Sequence, residues 1–117
     1  MATKPELTTE KRIKRETSRL KRVLHDLDEN KMQVVLPLIE NAAFMNVALR
    51  ELQEIIAQNG YTVEYQNGEH QKGTKQSDEV KTHIAMSRNL ATAIKTLADI
   101  APPAKKKGSR LNALKNE

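Results

Sequence analysis

Cysteine is absent from this 117-residue chain, which excludes disulfides, thiol catalysis and thiolate zinc sites. Tryptophan is absent too, and aromatics amount to 3%, two tyrosines and one phenylalanine. Burial must therefore come from Leu, Ile, Val, Met and Ala, which suits helix packed on helix better than a sheet sandwich. No uninterrupted apolar run approaches the roughly 20 residues of a membrane span. The opening MATKPELTTEKRIKRE also lacks the apolar centre of a signal peptide. The expectation is a soluble, unexported chain in the cytoplasm, with no membrane partner. His25, His70 and His83 are scattered, with no second ligand at metal-binding spacing, and no P-loop, nucleotide fingerprint or serine elbow occurs. No enzymatic activity, metal or other cofactor is expected.

Glycine and proline are scarce, four of each, so their positions punctuate the chain. Residues 1–8 carry no periodicity and hold Pro5, which reads as a flexible leader. Helix one is expected from Thr8 or Thr9 to about Leu27, with Ile13, Leu20, Val23, Leu24 and Leu27 on one side. Asp28 caps helix two, which runs to about Gln58 and ends at Asn59 and Gly60. Its stripe of Val35, Leu38, Ala42, Met45, Leu49, Leu52 and Ile56 steps by threes and fours, the seam of a helix packed lengthwise on a neighbour. A second row, including Leu36, Ile39, Ala43 and Val47, makes this helix the centre of the fold. Pro37 falls inside it; because the apolar spacing carries across, a kink is expected rather than a restart. Helix three begins after Ser77 as cap, with Ile84, Leu90, Ile94 and Leu97 in its stripe, and stops at Pro102 and Pro103.

The stretch between helices two and three, residues 59–76, is the most polar and glycine-bearing part of the chain. Asn67 and Gly68 are able to turn a hairpin. The arm after them lacks β-branched residues apart from Thr74, so the stretch is read as a loop, ordered or flexible. The fold class is thus all-α, three amphipathic helices over residues 9–101 with the long central one paired with the third. A basic, flexible tail follows over 102–117. So thin a helical layer leaves apolar surface over, which makes a homo-oligomer with a coiled-coil-like seam the expectation. Its interface is assigned to Val35, Leu38, Met45, Leu49, Leu52, Ile56, Ile84, Leu90, Ile94 and Leu97.

The net charge of +5 is unevenly placed. Residues 11–22 hold seven cations and one carboxylate, and residues 105–117 hold five and one, so the remainder is acidic. Basic ends of this kind suit a polyanion, most often nucleic acid. The candidate DNA contacts are Lys11, Arg12, Lys14, Arg15, Arg19, Lys21 and Arg22 on helix one, with Lys105, Lys106 and Lys107 in the tail. Lys11 and Arg12 also sit in a first helical turn, where the dipole disfavours cations and a phosphate would relieve them.

LRELQEIIAQNGYTVEYQNGEHQKGTKQSDEVKTHIAMSRNLATAIKTLADIAP, with PLIENAAFMNVALRELQ before it, joins an amphipathic helix to another through a Y-Q-N-G-x-x-Q-x-G-x-K-x-S connector. From about Asp26 to Pro102 the chain resembles the small terminase subunits of tailed phages. The distinctive positions are Asn67, Gly68, Gln71, Gly73, Lys75 and Ser77. The resemblance implies a helical, non-enzymatic component of bacteriophage DNA packaging that forms rings, binds DNA and delivers it to a large ATPase and nuclease subunit. The chain departs from the family in carrying Pro37 within its long helix and in lacking a helix-turn-helix signature. Two other readings stand beside it: a helical protein–protein adaptor, and a small DNA-binding transcription regulator of phage origin.

Overall fold

In the computed structural model, which describes residues 7–101, three helices and one hairpin follow in order: α1 (Thr9–Val23), α2 (Glu29–Asn59), β1 (Thr62–Gln66), β2 (Lys72–Gln76) and α3 (Asp78–Ile100). The architecture is mainly α-helical, as the composition implies, with a two-stranded antiparallel sheet added. The tail residues Lys105, Lys106 and Lys107 lie outside the described residues.

Each helix starts where a short polar side chain satisfies the free amides of a first turn. Thr8 accepts from the Lys11 N–H at 3.2 Å, Asp28 from Lys31 at 2.7 Å and Ser77 from Val80 at 3.2 Å. α1 ends four residues earlier than expected. The N–H of His25 bonds the Arg22 carbonyl and that of Leu27 bonds Leu24, a tightened i→i+3 turn of the kind that often closes a helix. This turn swings Leu24 and Leu27 together into the core, where both are buried. α2 is continuous across Pro37, and Pro37 is exposed. α2 ends at Gly60, whose φ of 84° with ψ of −176° is a conformation that almost only glycine adopts.

α2 is the middle element. α1 folds back along one flank, Thr9 meeting Glu51 while Glu16 meets Asn46. α3 packs on another, with His83 Nε2 and Gln53 Nε2 3.2 Å apart. Small side chains at Ala42, Ala43, Ala93 and Ala98 let the helices approach closely, and Leu24, Ile39 and Leu97 fill the remaining space without exposure. By length and composition α2 is apolar enough to cross a membrane, with a window of mean hydropathy 1.4. A third of that window is buried within the protein, and the core helix of a soluble protein meets the same criterion.

The connector is not the loop expected from its weak strand propensity. Thr62–Gln66 pairs with Lys72–Gln76 in the register Glu64 opposite Thr74 and Tyr65 opposite Gly73. The ladder is made of backbone groups, so a low-propensity arm such as KGTKQ forms a strand once its ends are held. One end is closed by the Asn67 N–H bonding the Gln71 carbonyl at 2.8 Å, with Gly68 at φ 91°. The other is closed by the Ser77 N–H bonding the Tyr61 carbonyl at 3.0 Å, beside the start of α3. The Tyr65 ring lies over Gly73, so close that a Cβ there would stand 2.8 Å from the phenol oxygen.

Candidate nucleic-acid interface

The amphipathicity of α1 positions the site. Ile13, Leu20 and Leu24 turn toward α2, and this docks α1 with Arg12, Arg15, Arg19 and Arg22, recurring at steps of three and four, along a single flank. Facing them, α2 contributes Asn46, Val47, Arg50 and Glu54, and together they enclose an open groove of about 960 Å³. Lys14 also reaches its edge. Six cations and two carboxylates line the groove, and Leu7 and Val47 add an apolar surface.

The cations differ in what they already hold. Glu16, its side chain only 12% exposed, receives a bidentate pair from Arg19, with both N···O distances 2.8 Å, and a hydrogen bond from the Asn46 amide. Burial pushes the Glu16 carboxyl up, but the bonds from Arg19 and Asn46 and the charges of Arg19 and Arg50 outweigh it and hold the group below its ordinary value. Arg12 lies 3.6 Å from Glu51, which also accepts from the Thr9 hydroxyl at 2.6 Å. α2 therefore supplies the counter-charge for a first-turn cation that the sequence assigns to phosphate. Lys14 makes only an exposed 4.0 Å pair with Glu10, of little energetic weight. Among the described residues, Arg15 and Arg22 have no carboxylate within reach of an ion pair. They are the cations most available to an incoming anion, together with Arg50.

Of the helix-one candidates, Arg12, Lys14, Arg15, Arg19 and Arg22 come together in the groove, whereas Lys11 and Lys21 are exposed outside its lining. Arg50 was missed by the sequence reading. Its only sequence signal is the step of four to Asn46 and Glu54 on the flank of α2, and only contact with α1 makes that flank part of a basic site. The ten apolar positions assigned to an oligomer interface divide differently. Val35, Leu49 and Leu97 are buried within the chain, Leu38, Met45, Leu90 and Ile94 are half-buried against its own core, and Leu52 and Ile56 are half-buried on α2. Ile84 is 44% exposed, and the exposed large apolar side chains of α2 are ones the stripe did not include: Val34, Phe44 and Ile55. The connector residues take structural places. Asn67 and Gln71 close the turn, Gly73 lies under Tyr65, Lys75 stands opposite Val63, and Ser77 caps α3.

The Glu16 cluster makes stability pH-dependent, with a definite sign. A carboxyl depressed in the folded chain stabilises it above the unfolded value, near 4.5, and that contribution is lost as pH falls through the lower folded value. Glu16→Gln should lower stability by about 1 to 2 kcal/mol at neutral pH. The gap between variant and wild-type melting temperatures should close as pH is lowered beneath 4.5. Melting curves at a series of pH values check both statements, and a gap that widens on acidification would contradict them.

Compared with family models, curated proteins and solved structures, the chain matches none.

Proposed function

We propose that this chain is a non-catalytic DNA-binding protein of the small terminase type, which self-associates and lays the α1–α2 groove on the phosphate backbone of DNA. The observation that carries the DNA contact is the joining of four α1 arginines with Arg50 in one groove where cations outnumber carboxylates. Arginine forks suit phosphate oxygens, and fixed cations displace the counterions condensed on a duplex. Phosphate contacts of this kind position a protein on the duplex without reading its sequence. Packaging, the phage origin, the bacterial cytoplasm as location and a large ATPase partner rest on the resemblance of the connector and its flanking helices alone. A neighbouring reading frame for a large protein with a Walker-type phosphate loop would support them.

Titrating a labelled duplex with the full chain at several salt concentrations tests the DNA contact. With a net surplus of about four cations in the groove, log K should fall against log salt with a slope of about −3 to −4. Absence of binding at low salt, or binding that ignores salt, rules the reading out. The second reading is the protein adaptor, favoured by the exposed Val34, Phe44 and Ile55 on α2; it expects a partner retained at high salt.

A further inference from the structure

Along the exposed side of α1 one short side chain interrupts the long cationic ones. Ser18 is exposed and lines the rim of the α1–α2 groove. On a helix its side-chain neighbours are the residues three and four positions away, which here are Lys14, Arg15, Lys21 and Arg22. All four are basic and exposed. Like charges at such spacings repel one another and weaken a helix, and the carboxylates of α1 do little to answer them. Glu16 is taken by Arg19 and Asn46, and Glu10 reaches Lys14 only at 4.0 Å. A hydroxyl stands where a solvated helix face would ordinarily place an acid one turn away.

That hydroxyl is spare. A serine or threonine within a helix often bonds back to the carbonyl four residues earlier, as Thr17 does to Ile13 at 2.8 Å and as Thr92 and Thr96 do on α3. Ser18 makes no hydrogen bond to any described residue. Its side chain is also the shortest that α1 gives to the groove, so a hollow is left between Arg15 and Arg22, whose backbones lie about 10 Å apart along the axis. Those two are the lining arginines of α1 without a carboxylate in reach.

We infer that Ser18 is the seat of one backbone phosphate of DNA. Its hydroxyl donates to a non-bridging oxygen, while Lys14 and Arg15 on one side and Arg22 on the other balance the charge. A phosphodiester has two such oxygens, enough for the hydroxyl and an arginine fork together. Lys21, the fourth neighbour, stands outside the lining. The inference rests on the DNA contact of the proposed function and adds to it a neutral positioning residue.

A neutral substitution separates a seat from a diffuse basic field, since the field depends on charge and not on shape at residue 18. Anisotropy titrations of one labelled duplex at fixed salt compare the wild type with Ser18→Leu, Ser18→Ala and Ser87→Leu, and an unchanged circular dichroism spectrum shows that each variant is folded. Leucine fills the hollow, offers no donor and favours the helix, so Ser18→Leu should lose about tenfold in affinity and flatten the slope of log K against log salt by about one. Alanine keeps the hollow and removes only the hydroxyl, which should cost about threefold. Ser87→Leu makes the same exchange at an exposed position of α3 and should bind as the wild type does. A folded Ser18→Leu protein within about twofold of wild-type affinity overturns the seat and leaves the groove standing. Equal losses for Ser18→Leu and Ser87→Leu overturn it as well. Should Ser18→Leu unfold, Ser18→Ala decides, and wild-type affinity there overturns the seat. A wild type that ignores duplex at low salt overturns the DNA contact itself, and the seat with it.

Discussion

Replacing Arg15, Arg22 and Arg50 together by glutamine should lower duplex affinity on the order of a hundredfold at 0.1 M salt, about 3 kcal/mol. The slope of log K against log salt should become shallower by about 2 to 3. These three differ from their neighbours in what they already hold. Arg19 is bound by Glu16, and Arg12 lies 3.6 Å from Glu51, so removing either disturbs the α1–α2 junction before it reports on DNA. Arg15 and Arg22 carry no such duty, and Arg50 reaches the groove from the opposite wall. Lys21, outside the lining, serves as the control: Lys21→Gln should change the slope by less than one such arginine. Anisotropy titrations of the triple variant and the control against one duplex give both numbers. Equal affinity for triple variant and wild type would remove the groove from any DNA role.

Leu97→Ala should cost about 2 to 5 kcal/mol, because its side chain is fully buried and its removal leaves a cavity in a close-packed centre. In a domain of this size that corresponds to a fall in melting temperature of roughly 10 to 30 °C. Leu97 belongs to the cluster in which Leu20 of α1 and Leu24 of the turn that closes it meet Ile39 and Ala43 of α2 and Ala93 of α3, so the loss should be felt by all three helices at once. Phe44→Ala is the contrasting case. With half its surface exposed, it should shift stability in the isolated chain by no more than about 0.5 kcal/mol. Thermal melts at a single protein concentration check the pair, since assembly makes melting concentration-dependent. Similar losses for the two variants would mean that the core does not lie where α1, α2 and α3 converge.

Much of the architecture was legible because it depends on local chemistry. The caps Thr8, Asp28 and Ser77 each bond an amide three residues on, a geometry that a short polar side chain imposes without help from elsewhere. The stop at Gly60 follows from glycine's freedom at positive φ. The continuity of α2 across Pro37 was legible in the apolar spacing. The hairpin was not. Strand propensity is read from side chains, whereas the pairing of Thr62–Gln66 with Lys72–Gln76 is held by backbone groups and by end contacts at Asn67–Gln71 and Tyr61–Ser77. The early end of α1 was also hidden, because the turn that closes it works by burying Leu24 and Leu27 in a core built by other elements.

The candidate site shows the same division. By itself the sequence determined three helices with their starting points, an excess of basic charge on the first, and an arginine every three or four residues along one of its flanks. Those properties belong to spacing and residue type within a single segment. Only the tertiary structure decided that Arg50 faces that flank, that Glu16 and Glu51 take Arg19 and Arg12, and that Arg15 and Arg22 stay available. It also decided which apolar residues the chain uses for itself, Val35 and Leu97 among them, and which it leaves uncovered at Val34, Phe44 and Ile55. A helical stripe is wider than any one neighbour can cover, so which of its residues go inside depends on the neighbour's position. Periodicity within one segment does not contain that position.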